Sequence, residues 1–592
     1  MGLGQLLAWT RWIRYTVISK VLDFRLRARR AKSQVTSLQF DVLEPRTLMT
    51  VTHRLVADIQ PGSIASAPRE LTNVSGTVFF VANSPSHGWQ LWRTDGTTSG
   101  TLPVRVIGTG SFTSRPRYLT NVNGTLFFVA NDGSGDQIWR SQGDASNTLP
   151  LPQLTASLTN PRYLTCLNNT LYFVATSPSL GTEIFRATSP WNSSTLVADI
   201  NPTGSADPAH LFPFGQRLLF SANDGSSGFE LWAHDAALNQ TYRVADINPG
   251  SADSHPAEFA ECHGRVYFAA QNTSRGRELW ATDATPNNIT LVADINPNAG
   301  NGNPRYLTNV NNRLFFSAVP NLTAGAELHM HDPVLGVTQL FKDIRPSGGS
   351  DPRSLTNVSG TLFFAANDGA HGYELWLSDL TAVGTRLAID FHPAGNGLGV
   401  GHIPGQLVNS NGILFLAAND GATGLELFIA YELPQIKSVH LPPNGLYGLG
   451  STLSFTVRFN RPVQVTGVPR LRFTIHTGTN TQFREATYTG GTGSDTLTFH
   501  YPVQAGDQAA DGITLTSPII LPSGASITDT AGNAARLTLS ETPAADVQLD
   551  GIVPQVVSLT PPSAGLYGIG QILTFRVRFS EAVQVAGTPR LR

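Results

Sequence analysis

Five arginines recur directly after a proline: Arg69, Arg117, Arg162, Arg305 and Arg353. A guanidinium offers a planar fork of donors that matches carboxylate, sulfate or phosphate oxygens. Gathered at one opening, these side chains would form a ring suited to an anionic ligand. A second periodic set, Asp58, Asp199, Asp246, Asp294, Asp343 and Asp390, follows Ala or its equivalent, and an Asp–Arg bridge within each unit is the competing use of the same charges. Only three units carry both members, so obligatory pairing is not implied. Near the C-terminal end, Asp507, Asp511, Asp529, Asp546 and Asp550 are candidate ligands for a hard cation such as Ca2+, which takes carboxylate and carbonyl oxygens. Turn and cap roles compete with that use. His329-Met330-His331-Asp332 is the densest cluster of metal-ligand types in the first two thirds of the chain, but His329 stands at a recurring aromatic position, which favours a packed imidazole. No G-x-S-x-G, paired-Cys, Walker or H-E-x-x-H motif occurs.

The elements that must position these residues repeat. An apolar run such as Gly360-Thr361-Leu362-Phe363-Phe364-Ala365-Ala366-Asn367-Asp368-Gly369 is followed by Gly372-Tyr373-Glu374-Leu375-Trp376-Leu377-Ser378-Asp379, and eight copies, some degenerate, recur about every 48 residues. Pro68, Pro116, Pro161, Pro208, Pro256, Pro304, Pro352 and Pro404 mark the period, each opening a strand, where a missing N–H is tolerated. A two-residue N-G or N-N turn between apolar runs predicts a hairpin. Each unit reads as four short strands: an L-V-A-D-I strand, the strand after the proline, the L-F-F strand and the E-L-W strand. Four strands per unit predict one propeller blade, and eight blades close on themselves. Seven blades plus a partial unit, or an open array, are the alternatives.

The G-x-E-L-W-x-[ST]-D pattern resembles the bacterial ELWxxDGT repeat seen in large extracellular proteins, over roughly residues 52–430. Trp92, Trp139, Trp232, Trp280 and Trp376 share one position, replaced by Phe185, His329 and Phe428 elsewhere, which predicts packing between blades. Asp95, Asp235, Asp283, Asp332 and Asp379 follow three residues later in a turn context that predicts capping of their own backbone.

Residues 1–50 hold nine Lys/Arg against three Asp/Glu; the remainder holds 31 against 39, a balance of −8 that argues against nucleic acid as a partner. No apolar stretch there reaches bilayer length. Phe40-Asp41-Val42-Leu43-Glu44-Pro45-Arg46-Thr47-Leu48-Met49 resembles the L-E-x-R-x-L-[LM] leader of exported planctomycete surface proteins, and the resemblance implies export. The two cysteines, Cys166 and Cys262, stand in different registers of different units and are expected as separate buried thiols.

After Pro434 the period changes. Gly445-Leu446-Tyr447-Gly448 returns as Gly565-Leu566-Tyr567-Gly568, an offset of 120 residues. Alternating runs such as Leu453-Ser454-Phe455-Thr456-Val457-Arg458-Phe459 predict an antiparallel sandwich. Thr528-Asp529-Thr530-Ala531-Gly532-Asn533 resembles the D-x-A-G-N signature of tandem bacterial Ig-like repeats. The second copy stops after about 40 residues, leading to the expectation of a fragment or truncated product whose last strands are exposed.

The expected organisation is all-β: a basic export leader at 1–50, an ELW-type propeller at 51–432, an Ig-like sandwich at 433–552 and the start of a second at 553–592. The expected function is an exported cell-surface binding or adhesion scaffold, not an enzyme. Its partner would be an extracellular glycan or surface protein, with Ca2+ as the one candidate cofactor and no membrane span in this chain. A glycan-processing enzyme with its site at a propeller mouth, and a purely structural envelope spacer, are the alternatives.

Overall fold

The computed structural model describes residues 51–592, except 109–113, 298, 322–324, 400–406, 478, 530–531 and 540–541. The leader at 1–50 and Pro404 lie outside the described residues. Among those described, eight four-stranded antiparallel sheets are present, and the fold is a β-propeller. The first blade is Arg69–Val74, Thr77–Ser84, Gly88–Thr94 and Leu102–Arg105. First strands of successive blades contact one another around the ring, and Leu407–Ser410 of the eighth blade meets Arg69–Val74 of the first.

The phase of the unit differs from the expected one. The L-V-A-D-I strand is the outermost strand of a blade and follows E-L-W; it does not open the next unit. Thus Thr195–Ala198 pairs with Gly181–Ala187 of its own blade. The eighth blade has only three consecutive strands, and Val51–Ala57 supplies its fourth by pairing with Leu425–Glu432.

The L-F-F strand explains the core. Successive side chains of a strand point to opposite faces, and both faces of a blade are covered by neighbours. Phe79 packs with Leu91, Phe128 and Trp139 toward blade 2, whereas Phe80 packs with Phe415 and Leu427 toward blade 8. Each such buried ring contributes roughly 1.5–3 kcal/mol. The recurring Trp sits between blades, as expected: Trp232 packs against Tyr172 and Val174, and Trp376 against Phe315 and Leu328.

Polar residues of L-T-N-V link neighbouring blades. Thr120 Oγ1 donates forward to Leu164 O (2.9 Å), and Asn357 Nδ2 donates back to Asn309 O (3.0 Å). Asn73 Nδ2 to Asn409 O (3.1 Å) carries this link across the closure.

The Glu of E-L-W is buried and ties down the loop that leads to the next blade. Glu327 accepts from Ile344 N (2.9 Å), Arg345 N (3.4 Å), Ser350 N (2.8 Å) and Ser350 Oγ (2.6 Å). In the eighth blade Glu426 accepts from Ile59 N and Ser66 N, so the same clamp fixes the N-terminal strand.

The second unit packs an eight-stranded sheet against a three-stranded one over a core that includes Phe455, Phe473, Phe499 and Val547. Residues 553–592 contribute a two-stranded hairpin, Val556–Thr560 with Arg576–Phe579, whose residues are nearly all exposed.

Candidate functional site

At one end of the propeller each first strand begins with a proline, then an arginine or a substitute, then a residue in left-handed conformation. That third residue is Glu70 (φ 58°), Tyr118 (57°), Tyr163 (53°), His210 (57°), Glu258 (60°), Tyr306 (57°) and Ser354 (52°) in blades 1 to 7. The corresponding position of blade 8 lies outside the described residues. The register slips here in every case, as between Arg117↔Val129 and Thr120↔Phe127, which marks a bulge. Glycine is the residue such a conformation favours, and a bulky side chain there costs on the order of 1 kcal/mol or more. Seven blades carry side chains nonetheless, and those side chains line the innermost ring. Tyr118 and Tyr163 lie 5.5 Å apart by ring centroid, and Tyr163 and His210 6.4 Å. In an eight-membered ring, positions four apart face each other, so Glu70 opposes Glu258 and Tyr118 opposes Tyr306.

Two of these carboxylates have defined partners. Glu70 Oε2 accepts from Tyr118 N (2.9 Å) and Leu119 N (3.4 Å), and Glu258 Oε2 accepts from Tyr306 N (2.6 Å). Each caps the bulge of the next blade. Burial raises the Glu70 carboxyl above its ordinary value, opposed by those backbone bonds and by Arg69 and Arg117. Burial lowers the His210 imidazole, keeping it neutral near pH 7, and pushes the Tyr306 phenol up to about 12.

The five candidate arginines do share this end, one residue before the bulge. Three of their charges are already paired, which breaks up the anion ring expected from sequence. Arg117 pairs with Asp136 (2.5 Å), Arg162 with Asp207 (3.3 Å), and Arg353 with Asp351. Arg69 stacks on Trp89 (3.9 Å to the centroid) and Arg353 on Tyr373 (4.5 Å). Arg305 occupies the equivalent position in blade 6. The partners are not the periodic aspartates considered from sequence, because those stand directly after the outer strand: Asp294 pairs with Arg275 (2.8 Å). The mouth is therefore a mosaic of aromatic faces and compensated charges. A cleft of about 270 Å3 opens there between blades 3 and 5, lined by Arg162, Tyr163, Asp207, His210, Phe229 and His255. Phe229 and His255 stack at 5.3 Å.

Four of the five candidate metal ligands, Asp507, Asp529, Asp546 and Asp550, are placed as side-chain hydrogen-bond acceptors. Asp507 is buried and accepts from Arg484 Nε (2.6 Å), Tyr501 OH (2.7 Å) and Gln504 N (2.8 Å). Asp529 holds Asn533 through both carboxylate oxygens. Asp550 accepts from Ile552 N (3.3 Å), Asp546 faces Asn444 Nδ2 (3.4 Å), and Asp511 donates its backbone N–H to His476 O (3.1 Å). Among the described residues no three His, Cys, Asp or Glu side chains converge as a metal set. His329 is buried against Phe316 and His331 bonds Thr338 Oγ1 (2.8 Å), both as packed imidazoles. Asp95 caps its turn through Thr97 N (2.8 Å), as do its equivalents.

The ring to which Glu70 and Glu258 belong was not anticipated from the sequence, where only the neighbouring arginines were singled out. The signal was available: the second position after the recurring Pro varies among Glu, Tyr, His and Ser, while the Pro is kept in all seven blades and a Leu or Phe always follows.

The sandwich attaches at the opposite end. Arg461 donates to Glu432 O (2.6 Å) and Gly412 O (2.7 Å), Asn460 Nδ2 to Glu432 Oε2 (3.1 Å), and Tyr431 OH to Asn533 Oδ1 (2.7 Å). Gly412 lies in the turn between first and second strands of blade 8, remote from the Pro-Arg end of the blades.

No protein-family model matches the chain, and no curated protein matches it. Solved structures similar to it include a puromycin hydrolase (15% identity, TM-score 0.37, covering 67% of this chain and 59% of that one). Another is a structure from work on two prolyl endopeptidases (13%, TM-score 0.39, 65% and 57%). A third is Saccharomyces cerevisiae Sqt1 (13%, TM-score 0.35, 65% and 98%). The chain thus spans about 59% of the length of the puromycin hydrolase it matches. The likeness is one of fold. The expectation that the chain is not an enzyme is corrected here, because these similar structures include peptidases, and it is not carried further.

Proposed function

We propose that this chain is a ligand-binding scaffold of an exported surface protein, with the Pro-Arg mouth of the propeller as the binding face and the sandwich as its support. The observation that carries the reading is the ring of left-handed, non-glycine residues, Glu70 to Ser354, kept at a conformational cost on the innermost strands. Placement of the sandwich at the other end supports it, since the binding face then points away from the stalk. A sugar is the ligand class that suits the mouth: its apolar faces stack on Tyr163, Phe229 and His255, and its hydroxyls bond with compensated Arg–Asp pairs. Export rests on the resemblance of the leader at 40–49.

A glycan array probed with the full chain, with Ca2+ and with chelator, tests this. Specific binding lost on Tyr163→Ala and Phe229→Ala supports the reading. A folded protein that binds no glycan sinks it and directs the search to protein partners. Binding or melting that falls with chelator would assign Ca2+ a role at Asp507, Asp511, Asp529 or Asp550.

A further inference from the structure

The two channel glutamates show what the bulge is built to hold. In blades 2 and 6 the bulge N–H, from Tyr118 and Tyr306, is taken by a carboxylate reaching from the preceding blade. His210 in blade 4 has the same φ of 57° as both. It also has the same register slip, from Ala209↔Ser221 to Phe212↔Leu219. Its N–H is therefore aimed as theirs are. The residue that should reach it from blade 3 is Tyr163, which brings no carboxylate, and the two rings stand 6.4 Å apart over the open cleft.

We infer that the blade 4 bulge is a receptor for a ligand carboxylate, supplied by a hexuronate unit of a glycan. This deepens the proposed glycan reading and rests on it for the identity of the sugar. The carboxylate takes the place relative to His210 that Glu258 takes relative to Tyr306. Backbone N–H groups in left-handed bulges form such anion-binding concavities. The blade 4 site has Arg162 at its rim, 3.3 Å from Asp207. A ligand carboxylate at His210 shares Arg162 with Asp207. The pyranose ring behind it lies against Phe229 and His255, which stack at 5.3 Å. Neutral sugars have the stacking but not the anchor.

The test is ligand-observed NMR titration of the full chain with sodium D-glucuronate and with D-glucose. Glucuronate should bind and glucose should bind at least tenfold more weakly. Tyr163→Glu installs at blade 3 the residue that blades 1 and 5 use, so it should fill the bulge from within and weaken glucuronate at least tenfold. Should that variant fail to fold, Glu70→Ala reads the same idea in reverse: it empties the Tyr118 bulge and should add a second glucuronate equivalent. Absent glucuronate binding, equal binding of glucose, or unchanged binding in Tyr163→Glu overturns the inference. Neutral glycans bound on the array without a glucuronate response would overturn this inference and leave the glycan reading standing. Glucuronate binding without any array signal would support the carboxylate receptor and remove the glycan reading.

Discussion

Replacing Glu327 by Ala removes the acceptor for four donors at once: Ile344 N, Arg345 N, Ser350 N and Ser350 Oγ. A buried donor left without a partner costs about 1–3 kcal/mol. Two terms reduce the sum. Water can enter the new space beside the loop, and the buried carboxylate itself was unfavourable, since burial raises its protonation range. A net loss of about 4 kcal/mol follows. Spread over a propeller of roughly 380 residues, with an unfolding entropy of about 2.1 cal/mol/K per residue, that is a fall in Tm of about 5 °C. Glu327→Gln should cost far less, about 2 °C. Blade 1 already uses Gln90, whose Oε1 accepts from Ile107 N (3.0 Å) and Ser114 Oγ (3.1 Å). Calorimetry of both variants, with limited proteolysis across 343–351, reads the effect. A Tm within 1 °C of the parent for Glu327→Ala, or an equal fall for the two variants, would refute the clamp.

Glu183, Glu230 and Glu278 are pushed up to about 7 by burial, above the 4.5 of a free glutamate. The folded state then holds more protons, so their contribution is full below pH 4.5 and is lost as pH rises through 7. Tm should fall between pH 5.5 and 8, and the triple Glu→Gln variant should flatten that slope; an unaltered slope counts against it. Arg461→Ala deletes two charge-assisted bonds to blade 8, at Glu432 O and Gly412 O, each of the 1.5–3 kcal/mol class. Small-angle scattering should show a wider spread of propeller–sandwich separations; a profile superposable on the parent's rejects a fixed junction. Burial pushes the Cys262 thiol up to about 11, so it should not react with a thiol reagent at pH 7.5 before unfolding; Cys166, half-buried where a buried thiol was expected, should react more readily than Cys262. Rapid labelling of Cys262 in the native protein would contradict its packing.

The blade count, the aromatic packing and the turn-capping aspartates were legible because each repeats with the period of the fold. The cutting point of the unit was not. A cyclic pattern reads the same wherever it is opened, and strand pairing alone reveals that the outer strand belongs to the preceding blade, as Thr195–Ala198 with Gly181–Ala187 and Val51–Ala57 with Leu425–Glu432 show. The ion-pair partners of the arginines were not foreseen. Asp136, Asp207 and Asp351 stand at three different sequence offsets from Arg117, Arg162 and Arg353, which no single spacing rule captures. Glu327 and its equivalents looked like ordinary strand residues of E-L-W, since their donors come from a loop 17 to 23 residues further on. Left-handed backbone at Tyr163 or His210 leaves no trace in composition, because the sequence omits the glycine that would have announced it.

Closing the eighth blade with the N-terminal strand has a consequence for how the chain comes to be folded. The contact of Leu55 with Phe428 joins residues some 370 positions apart, and joining ends so distant costs on the order of 5 kcal/mol in chain entropy. During synthesis Val51–Ala57 emerges ahead of the blades and must wait for its partner until the last blade is out. Blades 1 to 7 can assemble progressively, each on the one before, while the ring stays open as a spiral. The final step is therefore slow and all-or-none, and it takes place after translation of the propeller is complete. Until then Leu425–Glu432 is a bare edge, open to any strand that reaches it first.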